Sequence, residues 1–195
     1  MKLTGKEKSL LRVLLQADWR QQPRFGVEVS SRLVGNYEAL FGDQAQSGVL
    51  KNSLEYAINC LFGAEPDRQL IRELLVACEQ IAPESNSTDS MFLTSAQDAC
   101  FSVCAILDFL LEHDATHIVI ASRYAFDSVD LIAQELQQLS PSDPNLEQKI
   151  FHHPLMKRER EFQESALSDL LRPVDIDQKQ SLIAGVIHSP GTLLL

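Results

Sequence analysis

The stretch Ser95–Leu111, SAQDACFSVCAILDFLL, decides how the chain folds. On a helix advancing about 100° per residue, Cys100, Val103, Cys104, Leu107 and Leu111 share one face, and Phe101, Ala105 and Phe109 lie on another. From Ala99 to Leu111 only Ser102 and Asp108 are polar. A helix that is apolar nearly all round belongs at the centre of a core. A free cysteine behaves there as a small hydrophobe. The stretch contains no cation that would activate a thiol, so Cys100 and Cys104 read as packing residues. Thr94 and Gln97 have capping-box spacing, which predicts that the helix starts there. Asp98 then falls in the first turn, as a capping or interhelical carboxylate.

Outward from this helix the punctuation is helical throughout. Thr4 and Glu7 form a second capping-box pair, ahead of Leu10, Leu11, Leu14 and Leu15. Pro23 opens a helix bearing Phe25, Val29 and Leu33, which Gly35 is expected to end, with Asn36 to Phe41 a turn or short helical piece. Leu50, Leu54, Ile58 and Leu61 mark a third helix, from about Ser47 to before Gly63. A fourth runs from Pro66 to Pro83, and a polar loop follows near 83–93. The pattern Ile118, Ala121, Ala125, Val129, Ile132, Leu136 and Leu139 keeps the helical period straight through the β-branched HIVIA, so residues 115–139 read as helix. Ser140 to Pro144 is a turn. Leu155, Phe162, Ala166 and Leu170 mark a helix after Pro154, whose KREREF run reads as a solvated face. A last amphipathic piece lies within 174–195, before Pro190 and the apolar end GTLLL.

A chain of 195 residues with 45% apolar and 23% charged residues fits one globular domain, 1–195, and needs no metal or disulfide to hold its core. Eight glycines and eight prolines are few for this length, which favours long helices. The expected fold is all-α: one compact domain of seven to nine helices around a central buried helix.

The net charge is -10, unevenly spread: residues 1–25 carry +4 and the remainder -14. An acidic body repels phosphate backbones, so nucleic acid is not an expected partner. The basic first helix leaves a small opening for an anionic one. Met1-Lys-Leu resembles the start of a signal peptide, but Arg12 interrupts the apolar stretch. No apolar run approaches the ~20 residues of a membrane helix, so no membrane association is expected. Cys60, Cys78, Cys100 and Cys104 lack C-x-x-C spacing, which points to a reducing, cytoplasmic setting.

The reactive constellations are weak. His113 and His117 have the spacing of two imidazoles on one turn, but they straddle a helix junction where Asp114 can be a cap, and no third ligand can be named. His152 and His153 precede Pro154 as a turn pair. Asp127, Asp130 and Glu135 could pair carboxylates, yet Asp127 and Asp130 lie opposite the apolar stripe, as on a solvated face. No P-loop, nucleophile elbow or dinucleotide fingerprint occurs. No catalytic, cofactor-binding or metal-binding residue is therefore assigned, and no cofactor is expected.

SAQDACFSV resembles the small-x-x-Asp-Ala-Cys helix start of domain of unknown function 416, the YjaG-like family of bacterial proteins. Asn36-Tyr37 with Phe41 is similar to its Asn-Tyr-x-x-Phe segment. CEQIAP, Cys78 to Pro83, resembles its helix end before a central loop. HPLMKREREFQ resembles its x-Pro-x-x-x-x-Glu segment, with Glu159 and Gln163 in the matching places. The similarity covers roughly residues 20–170, and the C-terminus departs from the pattern. The resemblance implies a small all-α protein and transfers no catalytic residues.

Two functional classes remain open. The first is a non-enzymatic helical protein acting through protein contacts or self-association. The apolar segments Ser181–Ile187 and Leu193–Leu195 must then dock, either on their own helical body or across a two-fold homodimer. The alternative is an enzyme or small-ligand binder whose site assembles between helices. A concave pocket lined by ionisable groups favours the second; a flat apolar patch favours the first.

Overall fold

The computed structural model describes residues 3–41, 44–84, 91–140, 142–172 and 176–188. Among them are nine helices and no strand: α1 Gly5–Leu14, α2 Gln22–Phe41, α3 Gln44–Leu61, α4 Arg68–Ile81, α5 Met91–Glu112, α6 Thr116–Leu136, α7 Leu146–His152, α8 Pro154–Asp169 and α9 Ile176–His188.

The centre is α5. It packs most extensively on α6 and also meets α2, α3 and α4. Cys100, Val103, Ile106 and Phe109 are wholly buried, as an all-round apolar helix requires. Leu93–Glu112, with mean hydropathy 1.3, is long and apolar enough by those measures alone to cross a membrane, contrary to the sequence expectation. Its burial within the bundle accounts for that apolarity: 72% of the apolar stretch lies inside the protein.

Small residues let the central helices approach. Ala96, Ala99, Ala121 and Ala125 are buried, and the Ser95 and Ser128 hydroxyls meet across the α5–α6 seam at 2.5 Å. Gly26 does the same for α2. A Cβ there would stand 3.2 Å from both Ile106 Cγ1 and Ile118 Cδ1. The apolar core continues without a break from Leu14 of α1 to Val186 of α9.

Three elements differ most from those read in the sequence. α2 does not stop at Gly35 but runs on to Phe41, because Tyr37 is buried and anchored. Its hydroxyl lies 2.7 Å from Gln46 Oε1 and 3.1 Å from the Ile81 carbonyl oxygen. That tertiary gain outweighs the ~1 kcal/mol that glycine costs inside a helix. α5 begins at Met91, so residues 91–93 are helix rather than loop and Thr94 is interior. Gln97 reaches back instead to the Pro83 carbonyl, donating at 2.6 Å. Asp98 consequently sits beyond the first turn, without the helix-end role expected of it. α7 is an additional short helix between the 140–144 turn and Pro154. The 85–90 part of the polar loop lies outside the described residues.

Other punctuation is as read. Thr4 and Glu7 form a reciprocal capping box. Gly63 follows α3 at φ +105°, where a side chain would be strained. HIVIA is helical within α6. The C-terminal helix α9 packs on α2 and α3 and buries Val186, so this part of the segment docks on its own body. Leu193–Leu195 lie outside the described residues.

Candidate functional site

A groove of about 580 Å³ opens where α2, α8 and α9 converge. α2 contributes Glu28, Ser31 and Arg32. Opposite them α8 places Arg158, Glu161 and Phe162, and α9 closes the side with Ser181, Gly185 and His188. Gly185 leaves open space, since a Cβ there would meet nothing within 4 Å.

The floor is rigid. Arg32 stacks on Phe162, its guanidinium carbon 4.0 Å from the ring centroid, and pairs with Glu159 Oε2 at 3.0 Å. Glu159 is 2% exposed and its Oε1 accepts from Gln163 Nε2 at 2.7 Å. Gln163 Oε1 in turn accepts from Ser122 of α6 at 2.6 Å. Burial pulls the Arg32 guanidinium below its ordinary range and pushes the Glu159 carboxyl above its own, while the attraction between them opposes both shifts. Beside this pair Arg24 bonds Glu28 at 3.0 Å and the Asp169 carbonyl at 3.1 Å, tying α2 to the end of α8. Burial raises Glu28 as well.

Sequence reasoning missed this network. The KREREF run is not a uniformly solvated face: Lys157, Arg158 and Glu161 are exposed, but Glu159 points inward. A signal was available. Met156, Glu159, Gln163, Ala166 and Leu170 advance by three or four, so two polar residues occupy core positions of an amphipathic helix.

The residues singled out in the sequence are scattered. His113 sits at φ 57° just after α5, where its N–H closes the helix on the Phe109 carbonyl at 2.7 Å. Its ring stacks on Trp19 at 4.2 Å between centroids, whereas His117 Nε2 is 2.8 Å from Glu112. The two imidazoles thus have different partners; the N-cap of α6 is Ala115 rather than Asp114, whose Oδ1 accepts from Thr116 N at 2.9 Å just ahead of the helix. His153 caps α8, its Nδ1 accepting from Leu155 N at 3.3 Å, while His152 packs edge-on against Phe151. Among the described residues no three His, Cys, Asp or Glu side chains converge to hold a metal ion.

All four cysteines are buried free thiols. Cys78 of α4 lies 3.4 Å from Ser53 Oγ. Burial pushes the Cys100 thiol up to about 12, so it stays protonated and inert.

Asp98 feels the charge of a second singled-out residue, Asp127. It is 7% exposed, its Oδ2 has no hydrogen-bond partner, and burial together with the Asp127 charge pushes its carboxyl up to about 7. Asp127 itself is exposed at the rim and Glu135 is solvated, while Asp130 accepts from Gln134 at 2.6 Å.

The family profile described as "Protein of unknown function (DUF416)" matches residues 12–186. The chain belongs to the DUF416 family. The fold is shared by the crystal structure of a DUF416 family protein from Shewanella baltica OS155, with a TM-score of 0.74 at 21% identity. That alignment covers 96% of this chain and 95% of the other, so the likeness extends through α9. No curated protein matches the sequence. The segments through which the chain resembled the DUF416 family have structural roles here: Tyr37 anchors α2, His153 caps α8, and Glu159, bonded by Gln163, pairs with the groove residue Arg32.

Proposed function

We propose that this DUF416 family protein is a ligand-binding protein whose α2–α8–α9 groove takes a small molecule carrying both charges, such as a free amino acid or dipeptide. The observation that carries this reading is Arg32, held between Phe162 and the buried Glu159 in the wall of a groove lined by both charged and apolar residues. The groove volume, about 580 Å³, lies in the ordinary range for small-molecule sites. Its lining holds both signs, with Arg32 and Arg158 against Glu28 and Glu161. A zwitterion complements a lining that holds both signs.

A buried ion pair adds little to stability over an apolar replacement, so the Arg32–Glu159 pair is better explained by recognition than by folding. The rival reading, a protein-contact surface, has thinner support. The large exposed apolar residues Leu15, Val76, Leu136 and Leu171 lie on or beside different helices, and single exposed apolars are ordinary.

Thermal-shift measurement against a panel of amino acids, dipeptides, dicarboxylates and nucleotides tests the proposal. A zwitterion should raise the melting temperature of the wild type, and Gly185→Phe, which fills the groove from an unobstructed position, should abolish that rise. Arg158→Glu should weaken it. A ligand shift that survives Gly185→Phe, or no shift from any zwitterion, would overturn the reading.

A further inference from the structure

We propose that the seam between α5 and α6, remote in sequence from the groove, binds an organic cation: an alkylammonium or guanidinium group held by Asp98 and Asp127 against the rings of Phe101 and Tyr124.

The register of the two helices assembles this site. They run antiparallel, so that Ser95 meets Ser128 at one level and Phe101 meets Tyr124 at another, with ring centroids 5.9 Å apart. Asp98 and Asp127 lie between these levels, each three residues from its own helix's ring, and three residues apart is one face of a helix. Two carboxylates and two rings thus share one side of the seam.

The inner carboxylate is what points to a ligand. Asp98 is 7% exposed and its Oδ2 lacks a partner, an arrangement that leaves a buried polar atom uncompensated. The outer parts are accessible: Asp127 is exposed and Phe101 is 37% exposed. A cation entering at the rim would meet Asp127 first and then neutralise Asp98.

Local charge favours such a guest. Arg123 pairs with Glu7 of α1 and also acts on Asp127, but Glu7, Asp98, Asp127 and Asp130 outnumber it and leave the region negative. A bare metal ion fits poorly, because no third ligand of its kind converges among the described residues. An organic cation needs fewer carboxylates, donates its own hydrogen bonds and gains from aromatic neighbours.

Binding should also move a proton. Near pH 6 the folded protein holds Asp98 protonated, since burial and Asp127 raise it to about 7. A bound cation favours the ionised form, so it expels that proton, and affinity rises as the pH goes from 6 to 8.

Isothermal titration of the full chain with agmatine, spermidine and tetralysine, with magnesium chloride as contrast, tests this. At least one organic probe should bind, release a proton at pH 6 in buffers of differing ionisation heat, and bind more tightly at pH 8. Asp98→Asn and Asp127→Asn should each weaken it at least about tenfold. Binding by the free amines identifies a small molecule; binding by tetralysine alone identifies a partner's lysine. Absence of binding by all three organic probes, tighter binding of magnesium than of any of them, or affinity indifferent to both substitutions would overturn the proposal. Gly185→Phe should leave this binding intact, which separates the seam from the groove.

Discussion

Asp98 shows how one side chain can tie stability to pH. Its folded carboxyl titrates near 7, above the ordinary aspartate value of 3.8. Between those values the folded state holds a proton that the unfolded state has lost. Stability from this group is therefore full below the unfolded value and is lost as pH rises through about 7. Asp98→Asn, which mimics the protonated form, should remove that dependence. Its stabilising effect relative to wild type should be roughly 2–3 kcal/mol larger at pH 8 than at pH 5, as measured by urea unfolding at both. A difference that does not change with pH would show that Asp98 titrates normally. The sequence allowed Asp98 an interhelical role but could not name Asp127 as its neighbour, because the pairing depends on the register of two helices. Glu159 was hidden for another reason. Its charged neighbours in KREREF swamp the composition of the segment, and only the spacing from Met156 to Leu170 reveals an inward position.

Elements were more legible than residues, since periodicity reports a face even when it cannot report a partner. α6 is the clearest case: its 3.6-residue stripe outweighed a β-branched run, and Ile118, Val119, Ala121, Val129 and Ile132 are buried. Local signals failed where tertiary contacts overrode them. Thr4–Glu7 and Thr94–Gln97 have the same spacing, but only the first begins a helix, because α5 extends upstream to Met91. Gly35 looked like a stop, whereas Gly26 gave no sign of its role, which is to let α2 lie against Ile106 and Ile118. Gly26→Val should crowd both isoleucines and destabilise by about 1–3 kcal/mol. Gly26→Ala should fall near zero, its helix-propensity gain of about 1 kcal/mol offset by the same close approach. Urea midpoints of the two variants check this, and equal effects would mean that the α2 contact relaxes freely.

At the scale of the molecule, the all-α class and the central place of α5 could be read from apolar patterning, while the groove could not. It joins Glu28, Arg158 and Gly185, residues far apart in the chain with no shared motif. α9 is what brings the last wall into place. Truncation after Arg172 should leave a helical protein with lower stability, by about 3 kcal/mol given the loss of buried Val186 and half-buried Leu182 and Ile183. Calorimetry and sedimentation together distinguish the outcomes. A lower melting temperature at an unchanged oligomeric state fits α9 packing on its own body. Dissociation of a dimer into a folded monomer of undiminished stability would mean that the segment serves a neighbouring subunit instead.

The position of α9 along the chain carries one more consequence, for biosynthesis. A growing polypeptide emerges from its N-terminus and folds as segments become available. α5 meets its main partner, α6, as soon as the next helix has been made, so the centre can consolidate early. The groove cannot, because α2 must wait for α9 before its third wall exists. A nascent chain carrying the first eight helices would therefore hold most of its core while lacking one wall of the groove. On the proposed reading, competence to bind comes only with the final described helix, so that occupancy of the groove would report that synthesis has passed that point.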